Sequence, residues 1–452
     1  YYMASYWAGA AVNPINIRWS AAEIAYSLDD CETHILLVDD TFTPLIPEIK
    51  KLSGALKTLI HLGDGAAPQG MLSYEALVAE AAPVEDAMRS GNELAGVFYT
   101  GGTTGSPKGV MLSHGNLYTN SILGVAEGTV RRGSIGLHAA PMFHLADGAF
   151  MNGLFAAGCC HVMLPRFDPI GVLQAIAAHG VTDMLLVPTM IQMLVDHPDI
   201  HQYDLSSLQQ MLYGASPISE GLLDRAMKAI PHAGFIQAYG MTELSPVATI
   251  LKPEMHREKG RAKGWHRSAG RATICTEVRI VDPEGNELPR GEVGEVVVRG
   301  PGVMLGYWNK PAETAAAIRN GWMHTGDGGR MDEDGYVFVV DRIKDMIVTG
   351  GENVYSIEVE SVIATHPAVA ACAVIGTPHE HWGEQVHVFI VRKPGQVLEA
   401  EELIDFCKAR IASYKCPREV SFVEAMPLSG AGKILKTTLR APFWAHQERK
   451  VA

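Results

Sequence analysis

Basic residues are in short supply: 37 Lys and Arg stand against 50 Asp and Glu in 452 residues, a formal net charge of −13. No broad cationic face is expected, so nucleic acid and anionic membrane are excluded as main partners, and an anionic ligand needs a local site. Cysteine is sparse and scattered. Seven residues (Cys31, Cys159, Cys160, Cys275, Cys372, Cys407, Cys416) form no C-x-x-C pair and cannot all be bridged, which argues for reduced thiols in a cytoplasmic setting and against structural zinc. Long apolar runs are also missing. The uncharged stretch between Asp147 and Arg166 is broken by Asn152, His161, Pro165 and three glycines, so it reads as a buried helix entering a strand and no membrane span is expected. Residues 1–11 lack an initiator Met, a basic flank and a cleavage pattern, and the natural N-terminus is expected to lie upstream.

What is present is apolar residue, 47% of the chain, enough for two or three domains at about 150 residues each. An amphipathic segment at 20–28, a buried strand at 34–38, and strands near 56–61 and 94–99 alternate in the manner of a mainly parallel α/β sheet covered by helices. From 276 to 340 the pattern changes to short strands (277–281, 294–299, 335–340) separated by turn clusters such as Asp282-Pro283-Glu284-Gly285. A charged stretch, 341–345, then precedes a fresh pattern: a helix at 357–365, strands at 371–375 and 386–391, and a helix at 400–411. There are no internal repeats.

The densest chemical signal is Tyr99-Thr100-Gly101-Gly102-Thr103-Thr104-Gly105-Ser106-Pro107-Lys108-Gly109, which follows an apolar strand and precedes a helix-like segment. Its glycines can turn several N–H groups toward one anion, its threonines add hydroxyl donors and Lys108 a point charge, so the loop suits phosphate. It is not a Walker A loop, since Lys108 sits between Pro107 and Gly109. A second cluster, Tyr239-Gly240-Met241-Thr242-Glu243, places a carboxylate beside a hydroxyl and an aromatic ring beside a glycine. That suits Mg²⁺ carried with a nucleotide, although a turn followed by a Thr-x-x-Ser cap fits equally well. In Gly321-Trp322-Met323-His324-Thr325-Gly326-Asp327 the last residue can accept from two ribose hydroxyls or merely cap a turn. Lys433, in Gly430-Ala431-Gly432-Lys433-Ile434-Leu435-Lys436, is catalytic or simply solvated. His379-Glu380-His381 reads as a surface turn.

Taken together and in this order, these strings resemble the adenylate-forming superfamily of acyl-CoA synthetases, luciferases and adenylation domains. The resemblance runs from about Asn13 to Arg440. Asp341-Arg342-Ile343-Lys344-Asp345 followed by Gly350-Gly351-Glu352-Asn353-Val354-Tyr355 is most similar to the fatty-acyl and 4-coumarate-type CoA ligases. The resemblance implies an α/β fold: a large N-terminal domain of stacked α/β sheets (1–340, its first part missing) with a β-rich subdomain at about 270–340, a hinge at 341–345, and a small mobile α+β C-terminal lid domain at 346–452. It implies ATP, Mg²⁺ and coenzyme A as cosubstrates and a carboxylic acid as substrate, and it leaves a homodimer open.

Residue by residue, the resemblance gives Lys433, Glu243, Thr242 and His144 to catalysis, with Glu243 on Mg²⁺. Nucleotide contacts fall to Thr100, Gly101, Gly102, Thr103, Thr104, Gly105, Lys108, Gly214, Ala215, Ser216, Tyr239, Gly240, Met241, Asp327 and Arg342. Lys344 becomes the hinge about which the lid turns, and Gly350 and Gly351 pass the pantetheine arm. His144, in Pro141-Met142-Phe143-His144-Leu145, becomes the lid between acyl pocket and nucleotide, although a lone His in an apolar run is ordinarily a core group. Gly214, Gly240, Pro246 and Val247 complete the acyl wall. Three residues depart from the family pattern: Gly101 where Ser is frequent, Ser356 where Pro is common, and Asp147 near the acyl mouth, which disfavours a wholly apolar chain if it faces inward unpaired. The implied reaction is carboxylate plus ATP to acyl-AMP and pyrophosphate, then acyl-AMP plus CoA to acyl-CoA and AMP. A medium- or long-chain fatty acid is the expected substrate, a hydroxycinnamate or other aryl acid the alternative, and a non-catalytic acyl-nucleotide binding module the rival of another class.

Overall fold

A computed structural model of the chain describes residues 1–100, 107–343, 345–429 and 432–445. Its largest sheet has seven strands, in the order Arg271–Ala272, Thr249–Leu251, Gly234–Tyr239, Gln210–Gly214, Asp183–Leu186, Ile135–His138, Cys160–Met163. The last five are mutually parallel, as the alternation of periods predicts, while Thr249–Leu251 pairs antiparallel with both of its neighbours, Gly234–Tyr239 and Arg271–Ala272. Parallel strands buried on both faces need apolar residues at consecutive positions, and Met184, Leu186, Met211 and Phe235 each expose 2% or less. Helices Leu145–Ala156, Pro169–His179, Pro188–Val195 and Glu220–Ala229 are the connections between these strands. Their limits are local: Asp168 caps the second by accepting from Gly171 N at 2.8 Å, Pro169 takes its first position, and Gly180, at φ +62°, ends it.

The glycine-threonine loop joins two antiparallel strands, Leu94–Thr100 and Lys108–Ser113, with Thr100 opposite Lys108. This corrects the strand-loop-helix expectation. Val110 and Leu112 alternate with Gly109 and Met111 and bury their side chains, so the segment pairs back before the helix His114–Ala126 begins behind a Ser113/Asn116 capping box. A third strand, Gly306–Tyr307, pairs on the other side of Lys108–Ser113. Residues 35–39 also form a strand, but not a buried one: Ile35 is 54% exposed, because this strand is the edge of a three-stranded sheet packed on one face by Ala21–Asp30 and Ile46–Leu52.

Strands Glu277–Val281, Gly294–Arg299, Trp322–Met331 and Val337–Arg342 build an antiparallel sheet. Its last strand continues into the charged stretch, which sets Arg342 opposite Asp327. Residues 347–422 form another sheet with its own core of Ile347, Val374, Val388, Ile390 and Leu403, covered by Ser356–Ile363 and Ala400–Lys408. His379 and His381 lie at the hairpin tip between its two long strands, where His379 Nδ1 accepts from the backbone of His381 and Trp382. Among the described residues no group of three or more His, Cys, Asp or Glu side chains is arranged to hold a metal.

Candidate active site

In open parallel sheets the groove at the carboxyl ends of the strands receives ligands, and the motifs converge there. Strand Gly234–Tyr239 delivers Tyr239, and its parallel neighbour delivers Gly214, opposite Ala238. Gly214 must be glycine, since a Cβ would lie 2.3 Å from the carbonyl of Ala238; at Gly240 it would lie 2.0 Å from the carbonyl of Pro246. Ala215 follows in the left-handed region at φ +64°, and Ser216 continues the turn. After Met241 the chain makes a short 3₁₀ turn, Thr242–Leu244, with no side-chain cap, so the Thr-x-x-Ser capping alternative does not hold.

Glu243 is 5% exposed, and its Oε1 accepts from the hydroxyl of Tyr307 at 2.9 Å. Burial raises its carboxyl pKa, opposed by the Tyr307 hydrogen bond and the charges of Arg342 and Lys108. Lys108 Nζ stands 4.9 Å over the Tyr307 ring. Asp327 is also buried: Tyr239 donates its hydroxyl to Oδ2 at 2.7 Å, and Arg342 Nε lies 2.7 Å from Oδ1. Each oxygen keeps a lone pair for a further donor such as a ribose hydroxyl.

Lys433 reaches this cluster from the far end of the chain. Burial pushes its ammonium down to about 8 and the Arg342 charge adds to that, while Asp327 and Glu243 pull the other way. His144, the N-cap of helix Leu145–Ala156, is held down to about 4, first by burial and then by the Lys433 charge, so it is neutral near pH 7. The loop carrying Lys433 lies beside the start of helix Pro188–Val195, just past the end of strand Asp183–Leu186. Arg18 Nη1 donates to the Ser429 carbonyl at 3.1 Å, and a Cβ at Gly432 would be 3.5 Å from Thr189 Oγ1 and 3.7 Å from Val187 Cγ2.

Five remote segments thus meet: Lys108, residues 239–243, Asp327 with Arg342, Lys433, and His144. Thr100 stands at the mouth of the hairpin opposite Lys108. Gly101, Gly102, Thr103, Thr104, Gly105 and the hinge candidate Lys344 lie outside the described residues. Gly350 and Gly351, at φ +61° and +85°, form the turn between strands Ile347–Thr349 and Glu352–Val354; Gly350 N–H donates to the Trp382 carbonyl at 2.8 Å, and a Cβ at Gly351 would meet nothing within 4 Å. Of the acyl-wall positions, Val247 lines a cavity of about 50 Å³ with Leu123, Val130, Ala149, Gly153 and Ile250. Gly214 ends its strand, and His144, Gly240 and Pro246 sit on the loops at the sheet's carboxyl edge. Tyr307, the partner of Glu243, escaped the sequence reading, its only signal being a polar aromatic in Gly306-Tyr307-Trp308. Asp147 is fully buried and faces His138, Nδ1 to Oδ2 being 3.0 Å, which pairs one of its two oxygens.

The donor set suits Mg²⁺. One buried carboxylate, with phosphates supplying the remaining oxygens, is the way this hard ion binds beside nucleotides, and a cation would relieve the desolvation of Glu243.

Residues 1–308 match the family described as AMP-binding enzyme, and residues 358–433 match the AMP-binding enzyme C-terminal domain. The chain belongs to this family, the adenylate-forming enzymes, whose CoA ligases use ATP, Mg²⁺ and coenzyme A. It is 36% identical over 447 residues to the fatty acid–[acyl-carrier-protein] ligase ScoC of Streptomyces coeruleorubidus, covering 98% of this chain and 84% of that protein. It is 38% identical over 437 residues to a feruloyl-CoA synthase of an Amycolatopsis species, covering 96% and 84%. Among solved structures, ATP-bound MatB from Rhodopseudomonas palustris superposes with a TM-score of 0.86 at 31% identity, over 98% of this chain and 85% of that one.

Proposed function

We propose that the protein is an ATP-dependent acid–CoA ligase acting on a medium- or long-chain fatty acid, in the two steps of acyl-AMP formation and transfer to the CoA thiol. The observation that carries this reading is the buried cluster in which Glu243 accepts from Tyr307 and Asp327 meets Tyr239 and Arg342, with Lys433 and His144 close enough to share its electrostatics. A carboxylate approaches a triphosphate only if their mutual repulsion is quenched, and fixed cations in a low-dielectric site do so without reorganising. Lys433 holds the substrate carboxylate and α-phosphate together, and Lys108 with the glycine-threonine loop holds the departing pyrophosphate. Asp327, braced by Tyr239 and Arg342, takes the ribose. Mg²⁺, when bound at Glu243, supplies further charge neutralisation. Neutral His144 separates the acyl group from the nucleotide without adding charge.

No protein nucleophile is needed, because CoA brings its own sulfur. Lys344 is the pivot that exchanges one set of groups for the other, and Gly350 and Gly351 then admit the pantetheine arm. The cavity beside Val247 is small, about 50 Å³, and Asn120, Ser121, Thr129 and Thr273 share its lining with apolar groups; it holds no charged side chain, which favours an uncharged acyl group over a charged one. Among the described residues no helix is long and apolar enough to cross a membrane, and the free thiols support a reducing, cytoplasmic setting.

A pyrophosphate-release panel over short, medium, long and aromatic acids, with CoA, with an acyl-carrier protein and with neither, tests the reading. Release with medium and long acids and thioester formation on CoA is the expected result. Preference for an aryl acid replaces the substrate, thioester on the carrier alone replaces the acceptor, and silence with every acid removes the enzyme reading.

A further inference from the structure

Under helix Leu145–Ala156 lies a buried polar chain that the adenylation chemistry does not use. His138 ends strand Ile135–His138, Asp147 is the third residue of the helix, and the segment between them carries His144. The 3.0 Å contact from His138 Nδ1 to Asp147 Oδ2 therefore ties together the two ends of the loop that presents His144. The other nitrogen of His138 is 3.0 Å from His161 Nδ1 on the neighbouring strand Cys160–Met163, and the two rings lie edge to edge, 11° from parallel with centroids 5.2 Å apart. Phe150 packs on His138 at 5.6 Å, and neither His138 nor Asp147 exposes more than 2% of its surface. The backbone N–H groups of Asp147 and Gly148 both donate to the carbonyl of His144 at 3.2 Å, so any shift of Asp147 is passed directly to it.

With Asp147 ionised and both imidazoles neutral, His138 Nδ1–H donates to the carboxylate and His138 Nε2 accepts from His161 Nδ1–H. That fixes the tautomer and ring plane of His138 from both sides. A buried pair of this kind adds little net stability over apolar residues of the same volume; what it adds is one geometry.

Resting on the ligase reading, we propose that Asp147 and His138, with His161 behind them, are positioning residues for acid activation: they clamp the 139–146 loop so that His144 closes the acyl mouth during adenylation. The test is a double variant, His138→Leu with Asp147→Leu, compared with Asp147→Ala and Asp147→Asn in ATP–pyrophosphate exchange, with thermal unfolding measured alongside. The double variant is expected to melt at or above the wild-type temperature, yet lose tenfold or more in kcat/KM for the acid while KM for ATP stays within twofold. Asp147→Asn, whose amide oxygen still accepts from Nδ1–H, should recover most of what Asp147→Ala loses. An active wild type with an equally active double variant overturns the inference alone, as does Asp147→Asn performing no better than Asp147→Ala. A wild type inert with every acid removes the ligase reading and this inference with it.

Discussion

Lys433→Ala is the substitution for which the geometry makes the sharpest demand. The side chain brings one positive charge into an enclosure shared with Asp327, Glu243 and Arg342. Two unit charges 4 Å apart at an effective dielectric of 20 interact by about 4 kcal/mol, an upper bound here because Arg342 repels the ammonium. Removing one preorganised group of this kind costs about 2.7–4 kcal/mol of transition-state stabilisation, a factor of about 10²–10³ in kcat. Adenylation, read as acid-dependent ATP–pyrophosphate exchange, should fall by that factor, while thioester formation from supplied acyl-AMP should be spared. Equal loss in both halves refutes the reasoning. pH gives a second handle. Burial lowers the lysine from 10.5 to about 8, and its charged form is the useful one, so kcat/KM should decline as pH rises through about 8, and the variant should lack that limb. Between about 8 and 10.5 the unfolded chain holds a proton that the folded one has released, so this residue makes stability rise with pH across that window.

Lys344→Pro should leave pyrophosphate exchange unchanged and slow acyl transfer to CoA by tenfold or more; unaltered transfer in a single-turnover assay removes the hinge assignment. At Gly153 a Cβ would already lie 3.0 Å from Val130 Cγ2, so Gly153→Leu should fill the cavity beside Val247. Competition between long and short acids should then shift at least tenfold toward the short ones, in line with about 1–3 kcal/mol per methylene, and an unmoved ratio places the tail elsewhere. Ser356→Pro removes the N–H that meets Asp341 Oδ2 at 2.5 Å and the hydroxyl that meets Lys436. Proline is geometrically welcome at a first helical position, so the expected loss of about 1–3 kcal/mol in thermal unfolding reports the buried carboxylate left without that donor.

How much of this could be read from the chain depends on how local each determinant is. The helix at 21–30 announces itself through Ser20 and Glu23, a capping box three residues apart, and the two long strands near 371 and 386 through β-branched runs. Strand 108–113 was hidden because Lys-Gly-Val-Met-Leu-Ser is too short to display a period and runs directly into a helix cap. Edge exposure at Ile35 was hidden too, since which strand ends a sheet is a property of the whole sheet. The motif residues were legible as strings, but their partners were not. Tyr307 meets Glu243 across 64 positions and His161 meets His138 across 23, and no local pattern encodes such pairs.

The way the Lys433 loop is fastened has a consequence for turnover. Arg18 reaches Ser429 through an exposed hydrogen bond, and Gly432 faces Val187 and Thr189 across a gap that an added Cβ would fill to ordinary van der Waals distance. Water can replace the first contact almost without penalty, and the second involves a residue with no side chain to extract. In the proposed cycle, a hydrogen bond that water can replace is a contact the lysine's loop gives up at little cost once the anhydride has formed.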